Sequence, residues 1–371
     1  MVVKGVLAFV MLLVVVQFYL LALALVGLLP ARRWPKGPGR RFLCFIPAHN
    51  EAAVIRRSVE SLLNQDYRGA WRVVVLADRC TDDTARIARD LGAEVWGRKD
   101  GPPGKQHLVA WAYNLAACEE WDALVFVDAD NACSPNMLEA MDGALVGRDA
   151  VQVYLDTLNT WDSAVSRGYA ASYIQGNVFG QRARARLGLS ALLGGTGFAI
   201  RRDALTFTGL PTTTATEDLE LSILLVLAGR RVAYVEEARV WDEKPRTWWA
   251  SIRQRARWMR GHHQNLLLYF SPLALRALRG DLAAVDLLAV LFLPATLIFS
   301  LVSLLLSGGW VNWLAWILTA GAVAAAATGR QFRDYALGAW MPAFAWTWLP
   351  AFAWGMATLN FKGWEKTTHH A

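Results

Sequence analysis

The chain has 371 residues, of which 55% are hydrophobic and 18 are Trp, and its formal net charge is +7. This length exceeds a single small module, and the mean hydropathy of +0.26 is too high for an ordinary soluble enzyme of this size. The basic residues are concentrated at 32–41 and 246–260, next to apolar segments. That distribution favours attraction to anionic lipid over a nucleic-acid groove.

The chain begins with a long apolar segment. Residues 5–29 are interrupted only by Gln17. As a helix this segment would be roughly 37 Å long, enough to cross the ~30 Å hydrocarbon core of a bilayer. A cleaved signal peptide would have a shorter apolar region of about 7–15 residues. We therefore predict a transmembrane anchor over residues 1–30.

Residues 31–245 alternate short apolar runs with helical patterns. The predicted strands are 42–47, 71–77, 93–96, 123–127 and 151–155. The predicted helices between them are 51–64, 82–91, 105–119 and 135–145. Continuous apolar strands separated by helices predict an α/β domain with a mainly parallel sheet that is covered on both faces. In such sheets ligands bind at the carboxyl ends of the strands.

Polar residues follow the first two predicted strands. Pro47 and Glu51 lie at the end of the first, and Asp78 ends the second. A capped turn would explain either motif alone, whereas the functional interpretation is a nucleotide pocket in which Asp78 accepts hydrogen bonds. Lys105 follows Gly104 at a predicted helix start, which suits a diphosphate. A solvated lysine is the alternative.

A pair of carboxylates, Asp128 and Asp130, follows a buried strand. Two neighbouring carboxylates repel each other and contribute nothing to a core. The pair indicates a divalent cation held between these side chains and the phosphates of a ligand. Such a cation would make the diphosphate a better leaving group. Exposed turn carboxylates are the alternative interpretation.

A second acidic pair, Glu217 and Asp218, opens a predicted helix. Acids at this position also favour the helix dipole. The functional interpretation makes Asp218 the general base that takes a proton from an attacking hydroxyl. Upstream, Gly195, Thr196 and Gly197 form a turn where a sugar could approach the backbone closely.

A third motif lies in the basic, aromatic segment 246–280, which is predicted to form an amphipathic helix on the membrane surface. Gln254, Arg257 and Trp258 are spaced i, i+3 and i+4 and would share one face of that helix. The face would offer an amide, a guanidinium for phosphate and an aromatic platform for a sugar ring. A simple membrane-surface helix would explain the Trp and Arg residues but not the full motif.

The last segment, 281–371, contains three further apolar stretches. They are 282–306, 311–328 and 336–359, the last containing two prolines that would kink it or make it re-entrant. The positive loops after the first and third predicted spans place the central domain in the cytosol. We therefore expect a multi-pass protein of the plasma membrane.

Taken in order, these motifs resemble glycosyltransferase family 2. They are most similar to its membrane-embedded branch, which contains cellulose, hyaluronan, chitin-oligosaccharide and poly-N-acetylglucosamine synthases. The resemblance covers about residues 42–258. It implies a GT-A fold, a UDP-sugar donor bound with Mg²⁺ or Mn²⁺, and inversion at the anomeric carbon.

The resemblance also implies roles for individual residues. Nucleoside contacts come from Glu51 and Asp78, nucleotide and metal contacts from Asp128 and Asp130, base catalysis from Asp218, and diphosphate and acceptor contacts from Gln254, Arg257 and Trp258. His49 replaces a commoner Tyr or Arg, and Ala77 replaces the first Asp of a usual pair. These departures leave the exact contact to the base open.

The expected activity is processive synthesis of a β-linked polysaccharide that passes through the membrane helices. A single transfer to a membrane lipid is the alternative, because four spans make a narrow channel and glucosylceramide synthases carry a similar final motif. A non-catalytic membrane scaffold is a third hypothesis, against which the intact acids argue. The expected partners are a UDP-sugar, a polysaccharide or lipid acceptor and the bilayer, and no nucleic acid.

Overall fold

The computed structural model describes residues 2–307 and 341–359, which form two compact units. The sheet unit comprises residues 31–159 and 190–244. The helical unit comprises the described parts of 1–30, 160–189 and 245–361. Residues 160–189, which lie inside the catalytic segment predicted from the sequence, thus belong to the helical unit.

Eight strands form one mixed sheet in the described part of the sheet unit. They are β1 (Phe42–Ala48), β2 (Trp71–Asp78), β3 (Glu94–Arg98), β4 (Ala123–Phe126), β5 (Ala132–Cys133), β6 (Ala150–Thr157), β7 (Phe198–Arg201) and β8 (Val232–Asp242). Their spatial order is β3-β2-β1-β4-β7-β6-β8-β5. Neighbours from β3 to β4 run parallel, as do β6 and β8, whereas β7 is antiparallel to both of its neighbours and β5 to β8. The mixed α/β sheet expected from the sequence is confirmed.

Some helices belong to the sheet unit, and the others build the helical unit. They are α1 (Val2–Gly27), α2 (Ile55–Leu63), α3 (Thr84–Asp90), α4 (Lys105–Leu115), α5 (Met137–Ala144), α6 (Ala164–Gln175), α7 (Ala183–Leu187), α8 (Arg202–Thr208), α9 (Glu217–Leu227), α10 (Trp248–Leu278), α11 (Leu282–Ser307), α12 (Met341–Trp346) and α13 (Trp348–Ala357). A π-helical segment, Gly176–Arg182, joins α6 to α7.

The core of the sheet unit forms on the central strands because both faces of these strands are covered. The side chains of Phe45, Val75 and Leu124 are fully buried. Burying an apolar side chain of this size stabilises the fold by roughly 1.5–3 kcal/mol. The ring of Phe126 stacks on Phe198 of the neighbouring antiparallel strand at 4.7 Å. This packing fixes the strand ends from which the polar residues project.

In the helical unit, side-chain hydrogen bonds join α1 to α11. The Gln17 amide donates to the Ser300 hydroxyl, and Tyr19 donates to Asp286 Oδ1 at 2.8 Å. Asp286 also forms a buried ion pair with Arg184 of α7 at 2.7 Å. Three helices that are distant in the chain are thereby tied at one polar point.

Within the described residues, two helices are long and apolar enough to cross a membrane. These are Leu7–Gly27 and Leu282–Ser303. The predicted span 311–328, the loop that follows it and the first residues of the span 336–359 lie outside the described residues. The described part of that last span is divided into α12 and α13 at Thr347.

Candidate active site

The turns after β1 and β2 are joined by hydrogen bonds. Asn50 adopts a positive φ of 54°, and its Oδ1 accepts a hydrogen bond from the Thr81 N–H at 2.7 Å. The Glu51 N–H donates to Thr84 Oγ1 at 2.8 Å. Pro47 lies beyond Phe45, the last residue of β1 that pairs with β4. A proline is tolerated there because the strand has lost one neighbour.

Asp78 ends β2 with a buried carboxylate. Arg98 Nε lies 2.9 Å from Oδ1, and Arg79 Nη2 lies 2.7 Å from Oδ2. Burial opposes ionisation, but the two guanidinium groups outweigh it and hold the pKa of Asp78 below its usual range. His49 Nδ1 lies 2.6 Å from the Asp78 carbonyl oxygen. Asp78 is thus a fixed anionic acceptor at this edge of the sheet.

Lys105, the first residue of α4, connects acidic residues from distant elements. Its ammonium group donates to Asp128 Oδ1 and, at 2.6 Å, to the Gly195 carbonyl oxygen. Partial burial opposes the charged form, but the carboxylates of Asp128, Glu217 and Asp218 outweigh it and raise the pKa of Lys105. One lysine is therefore stabilised by Asp128 and by the pair Glu217 and Asp218.

Gly195 brings the glycine turn against the start of α9. Its φ is +80°, which L side chains rarely adopt, and a Cβ there would lie 3.2 Å from Asp218 Oδ2. The Leu219 N–H donates to Asp218 Oδ1 at 2.8 Å, which orients the carboxylate. Glycine is therefore favoured at this position for two reasons, the positive φ of the backbone and the close approach of Asp218.

Gln152 and Asn131, which were not predicted from the sequence, form hydrogen bonds to the glycine turn. Gln152 is buried in β6, accepts a hydrogen bond from the Gly194 N–H at 2.9 Å and donates to the Thr196 carbonyl at 3.0 Å. The Thr196 hydroxyl accepts from the Asp128 N–H at 3.0 Å and donates to Asn131 Oδ1. An amide in an otherwise apolar strand was the available signal for Gln152.

Asp130 is half-buried among other carboxylates. Burial, followed by the charges of Asp128 and Asp242, raises the pKa of Asp130 to about 8, although the Lys244 ammonium acts in the opposite direction. Lys244 is itself buried and donates to Asp242 Oδ2. Around Asp130 the carboxylates thus outnumber the ammonium group of Lys244, and a divalent cation would neutralise this excess of negative charge. Neither Asp242 nor Lys244 was identified from the sequence.

The carboxylate pair fits a cation that is completed by ligand oxygens. Among the described residues, no three His, Cys, Asp or Glu side chains are close enough to form a metal site by themselves. Mg²⁺ is commonly held by one or two carboxylates together with substrate phosphates. Asp78 is instead paired with Arg79 and Arg98, which neutralise its carboxylate.

The third motif lies on α10 in the helical unit, and the predicted helix is confirmed. Gln254 Oε1 accepts a hydrogen bond from the Tyr169 hydroxyl at 2.8 Å. The edge of the Trp258 ring meets Tyr169 with centroids 6.1 Å apart and planes at 87°. Arg257 is half-buried on the same helix. Tyr169 was not predicted from the sequence.

A mixed GT-A-like sheet that brings acids, a lysine and a glycine turn together is typical of an enzyme that transfers a sugar. The family model described as "Glycosyltransferase like family 2" matches residues 38–261. The chain therefore belongs to glycosyltransferase family 2.

Three known proteins illustrate the similarity. The chain is 27% identical to the probable glycosyltransferase YdaM of Bacillus subtilis strain 168, over 61% of this chain and 56% of that protein. It is 29% identical to the beta-monoglucosyldiacylglycerol synthase of Synechocystis, over 61% of this chain and 48% of that protein. The chain thus spans about half the length of these curated relatives.

A solved structure with a similar fold is the mannosyltransferase PcManGT of Pyrobaculum calidifontis, determined with GDP-Man and Mn²⁺. The TM-score is 0.61 at 19% identity, and the match covers 95% of this chain and 98% of that one. At this identity the similarity establishes the fold alone.

Proposed function

We propose that this enzyme transfers one sugar from a UDP-sugar to a hydroxyl group of a membrane lipid, with inversion at the anomeric carbon. The observation that carries the proposal is that Lys105, which contacts Asp128, and Asp218 both approach Gly195. These groups come from four separate parts of the chain, and buried like charges are costly unless a ligand or counter-ion uses them.

The donor end of the site consists of residues from the sheet unit. Asp78 receives the base or ribose, with Pro47 and Glu51 shaping the same turn. Asp128 and Asp130 hold Mg²⁺ or Mn²⁺, which neutralises charge on the diphosphate leaving group. Lys105 provides a second positive charge for the diphosphate, because its ammonium group contacts Asp128, one of the two proposed metal ligands.

Asp218 serves as the general base. One carboxylate oxygen is oriented by the Leu219 N–H, and the other approaches Gly195, where a sugar can lie against backbone without a side chain. The amino end of α9 favours the ionised carboxylate that a base requires. As the acceptor oxygen attacks the anomeric carbon, its proton passes to Asp218 and the bond to the diphosphate breaks. Glu217 contributes further negative charge beside Lys105.

The lipid acceptor is supported by features of the helical unit. The carboxyl-terminal half of α10 exposes apolar side chains, namely Leu267, Leu268, Phe270, Leu275 and Leu278. An amphipathic helix of this kind lies in a membrane interface. Two further helices have the length and composition of spans. The similarity to a beta-monoglucosyldiacylglycerol synthase points to the same class of acceptor.

The basic residues that follow α1 favour a cytosolic location for the sheet unit, by the positive-inside rule. We therefore infer a plasma-membrane protein whose donor comes from the cytosol. That α1, α11 and any further helices span this membrane remains a prediction.

Processive synthesis of a polysaccharide is the second candidate. The Gln254–Trp258 motif on α10 favours it, because the resemblance assigns that motif to the diphosphate and the acceptor end. A growing polymer would also require a channel, and the described residues include only two helices that are both long and apolar enough to span a membrane.

The decisive experiment measures the product. The full chain, purified and reconstituted in diacylglycerol-containing vesicles, is incubated with labelled UDP-glucose, UDP-N-acetylglucosamine or UDP-glucuronate and either cation. A lipid carrying one sugar, with one UDP released per lipid, is the expected result. A polymer would replace the lipid proposal by the processive one. UDP release no greater than that of Asp218→Asn for every donor would overturn catalysis at this site.

A further inference from the structure

Tyr169 of α6 forms side-chain hydrogen bonds with α10 within the helical unit. It is buried, and its hydroxyl accepts a hydrogen bond from Ser251 Oγ at 3.1 Å while donating to Gln254 Oε1. A hydroxyl group has one proton to donate. Because Ser251 supplies the incoming hydrogen bond, the tyrosine proton is committed to the Gln254 oxygen.

These two hydrogen bonds set the orientation of the Gln254 amide. With Oε1 accepting from Tyr169, the Nε2 group has two N–H donors, and no partner for it occurs among residues 2–307 and 341–359. An amide held in this orientation presents donors to a ligand and cannot present its acceptor. Donors suit a phosphate or sugar oxygen. The orientation of the amide therefore determines the chemistry of this motif.

The Tyr169 ring also defines the position of Trp258. The two rings meet edge to face, which is a favoured arrangement for an aromatic pair. The Tyr169 ring also packs against a phenylalanine of α12. Phe344 contacts it edge to face at 5.3 Å, and Gly168 permits that approach, since a Cβ on Gly168 would come within 2.2 Å of the Phe344 ring. Small movements of Tyr169 are therefore prevented by packing.

Arg255 holds this arrangement to the carboxyl-terminal helices. Its fully buried guanidinium lies 4.5 Å from the centre of the Phe344 ring and 5.0 Å from that of Trp348. Its Nη1 donates to the Thr347 hydroxyl at 2.7 Å, at the break between α12 and α13. Cation–π contacts of this kind gain strength when water is excluded. The surroundings of Tyr169 thus include three helical segments in addition to its own.

We infer that Tyr169 is a positioning residue, which orients the Gln254 amide and the Trp258 ring for the diphosphate and the acceptor. This inference rests on the proposed role of the Gln254–Trp258 motif in sugar transfer. Tyr169 itself is buried, and these two side chains carry its proposed effect on sugar transfer.

The test is a double-mutant cycle on the full-length protein in vesicles. Tyr169→Phe removes the hydroxyl and keeps the ring, Gln254→Ala removes the amide, and the third variant combines them. Tyr113→Phe, a half-buried tyrosine of α4 that packs on Trp121, is the matched control. We expect Tyr169→Phe to lower kcat/KM about tenfold, the size of one lost hydrogen bond. The melting temperature should change no more than in the control.

The combined variant should be no slower than Gln254→Ala, because the hydroxyl has nothing left to orient. A purely structural tyrosine would instead give multiplicative losses that track the melting temperature, and this outcome would overturn the inference. Impaired Gln254→Ala with unimpaired Tyr169→Phe would overturn the role of Tyr169 alone. Unimpaired Gln254→Ala would remove the role of the motif and, with it, this inference.

Discussion

The ammonium group of Lys105 lies between the carboxylate of Asp128 and the carbonyl oxygen of Gly195, residues that are 23 and 90 positions further along the chain. This lysine places one positive charge beside Asp128, Glu217 and Asp218 of the predicted site. The same group would face the diphosphate of a bound donor, and its removal therefore tests both stability and catalysis.

We expect Lys105→Met to lower kcat/KM at least 100-fold, as is common when a charge that stabilises a leaving group is lost. The variant should also be less stable by about 1–3 kcal/mol, because Asp128, Glu217 and Asp218 lose their shared counter-ion. Initial rates and thermal unfolding measure these effects. Lys99→Met, at an exposed lysine, is the control. Equal rates for the two variants would contradict the role of Lys105.

Asp218→Asn tests the general base. The amide keeps the shape of the side chain but cannot take a proton, so transfer should fall about 1,000-fold or more while UDP binding is retained. Stopped-time transfer assays and UDP titrations measure the two quantities. Asp83→Asn provides the matched control, since Asp83 is also an acid at a helix start but is exposed and paired with Arg86. Loss of UDP binding in Asp218→Asn would assign Asp218 to the donor instead.

The first half of the sheet unit was predictable because its strands are continuous apolar runs. The predicted strand 42–47 corresponds to β1, and the predicted helix start at Lys105 corresponds to α4. In contrast, β7 has only four residues directly after a turn, and β8 includes the charged pair Glu236 and Glu237. Neither has the continuous apolar pattern on which the prediction depended.

Individual site residues were predictable where their chemistry is unusual for their position, as with the carboxylates that follow the buried β4. Their partners were not predictable, because contacts such as Lys105 with Gly195 depend on tertiary folding. Tyr169 has an ordinary residue type, and only its hydrogen-bond partners reveal a role, whereas the amide of Gln152 in an apolar strand was a signal in the sequence.

The pKa of Asp130 predicts that metal binding releases a proton. In the metal-free protein this carboxyl is protonated below about pH 8, whereas a metal ligand must be ionised. Affinity for Mn²⁺ in the presence of UDP should therefore rise with pH up to about 8. Calorimetry at pH 7 in two buffers of different ionisation enthalpy should detect release of about one proton per cation.

Asp130→Asn should abolish that proton release and weaken Mn²⁺-dependent binding of UDP. The raised pKa also determines how stability depends on pH. Because ionising Asp130 is unfavourable in the folded protein, the metal-free protein loses stability as pH rises from about 4 towards 8. Asp130→Asn should flatten this slope in denaturant unfolding. Proton release that persisted in Asp130→Asn would assign the linked group elsewhere.

Gly195→Ala separates backbone strain from steric displacement of the base. Gly195 and Gly92 both have positive φ, of 80° and 95°, but a Cβ on Gly92 would meet nothing within 4 Å. Both alanine variants should lose about 1–2 kcal/mol of stability, the cost of a left-handed L residue. Gly195→Ala should additionally lower kcat at least tenfold, because its new methyl group would lie 3.2 Å from Asp218 Oδ2. Unfolding curves and transfer rates of the two variants are compared. Equal stability losses with unequal rates would place the sugar-binding surface at Gly195. Equal rates would show that the sugar binds away from this turn.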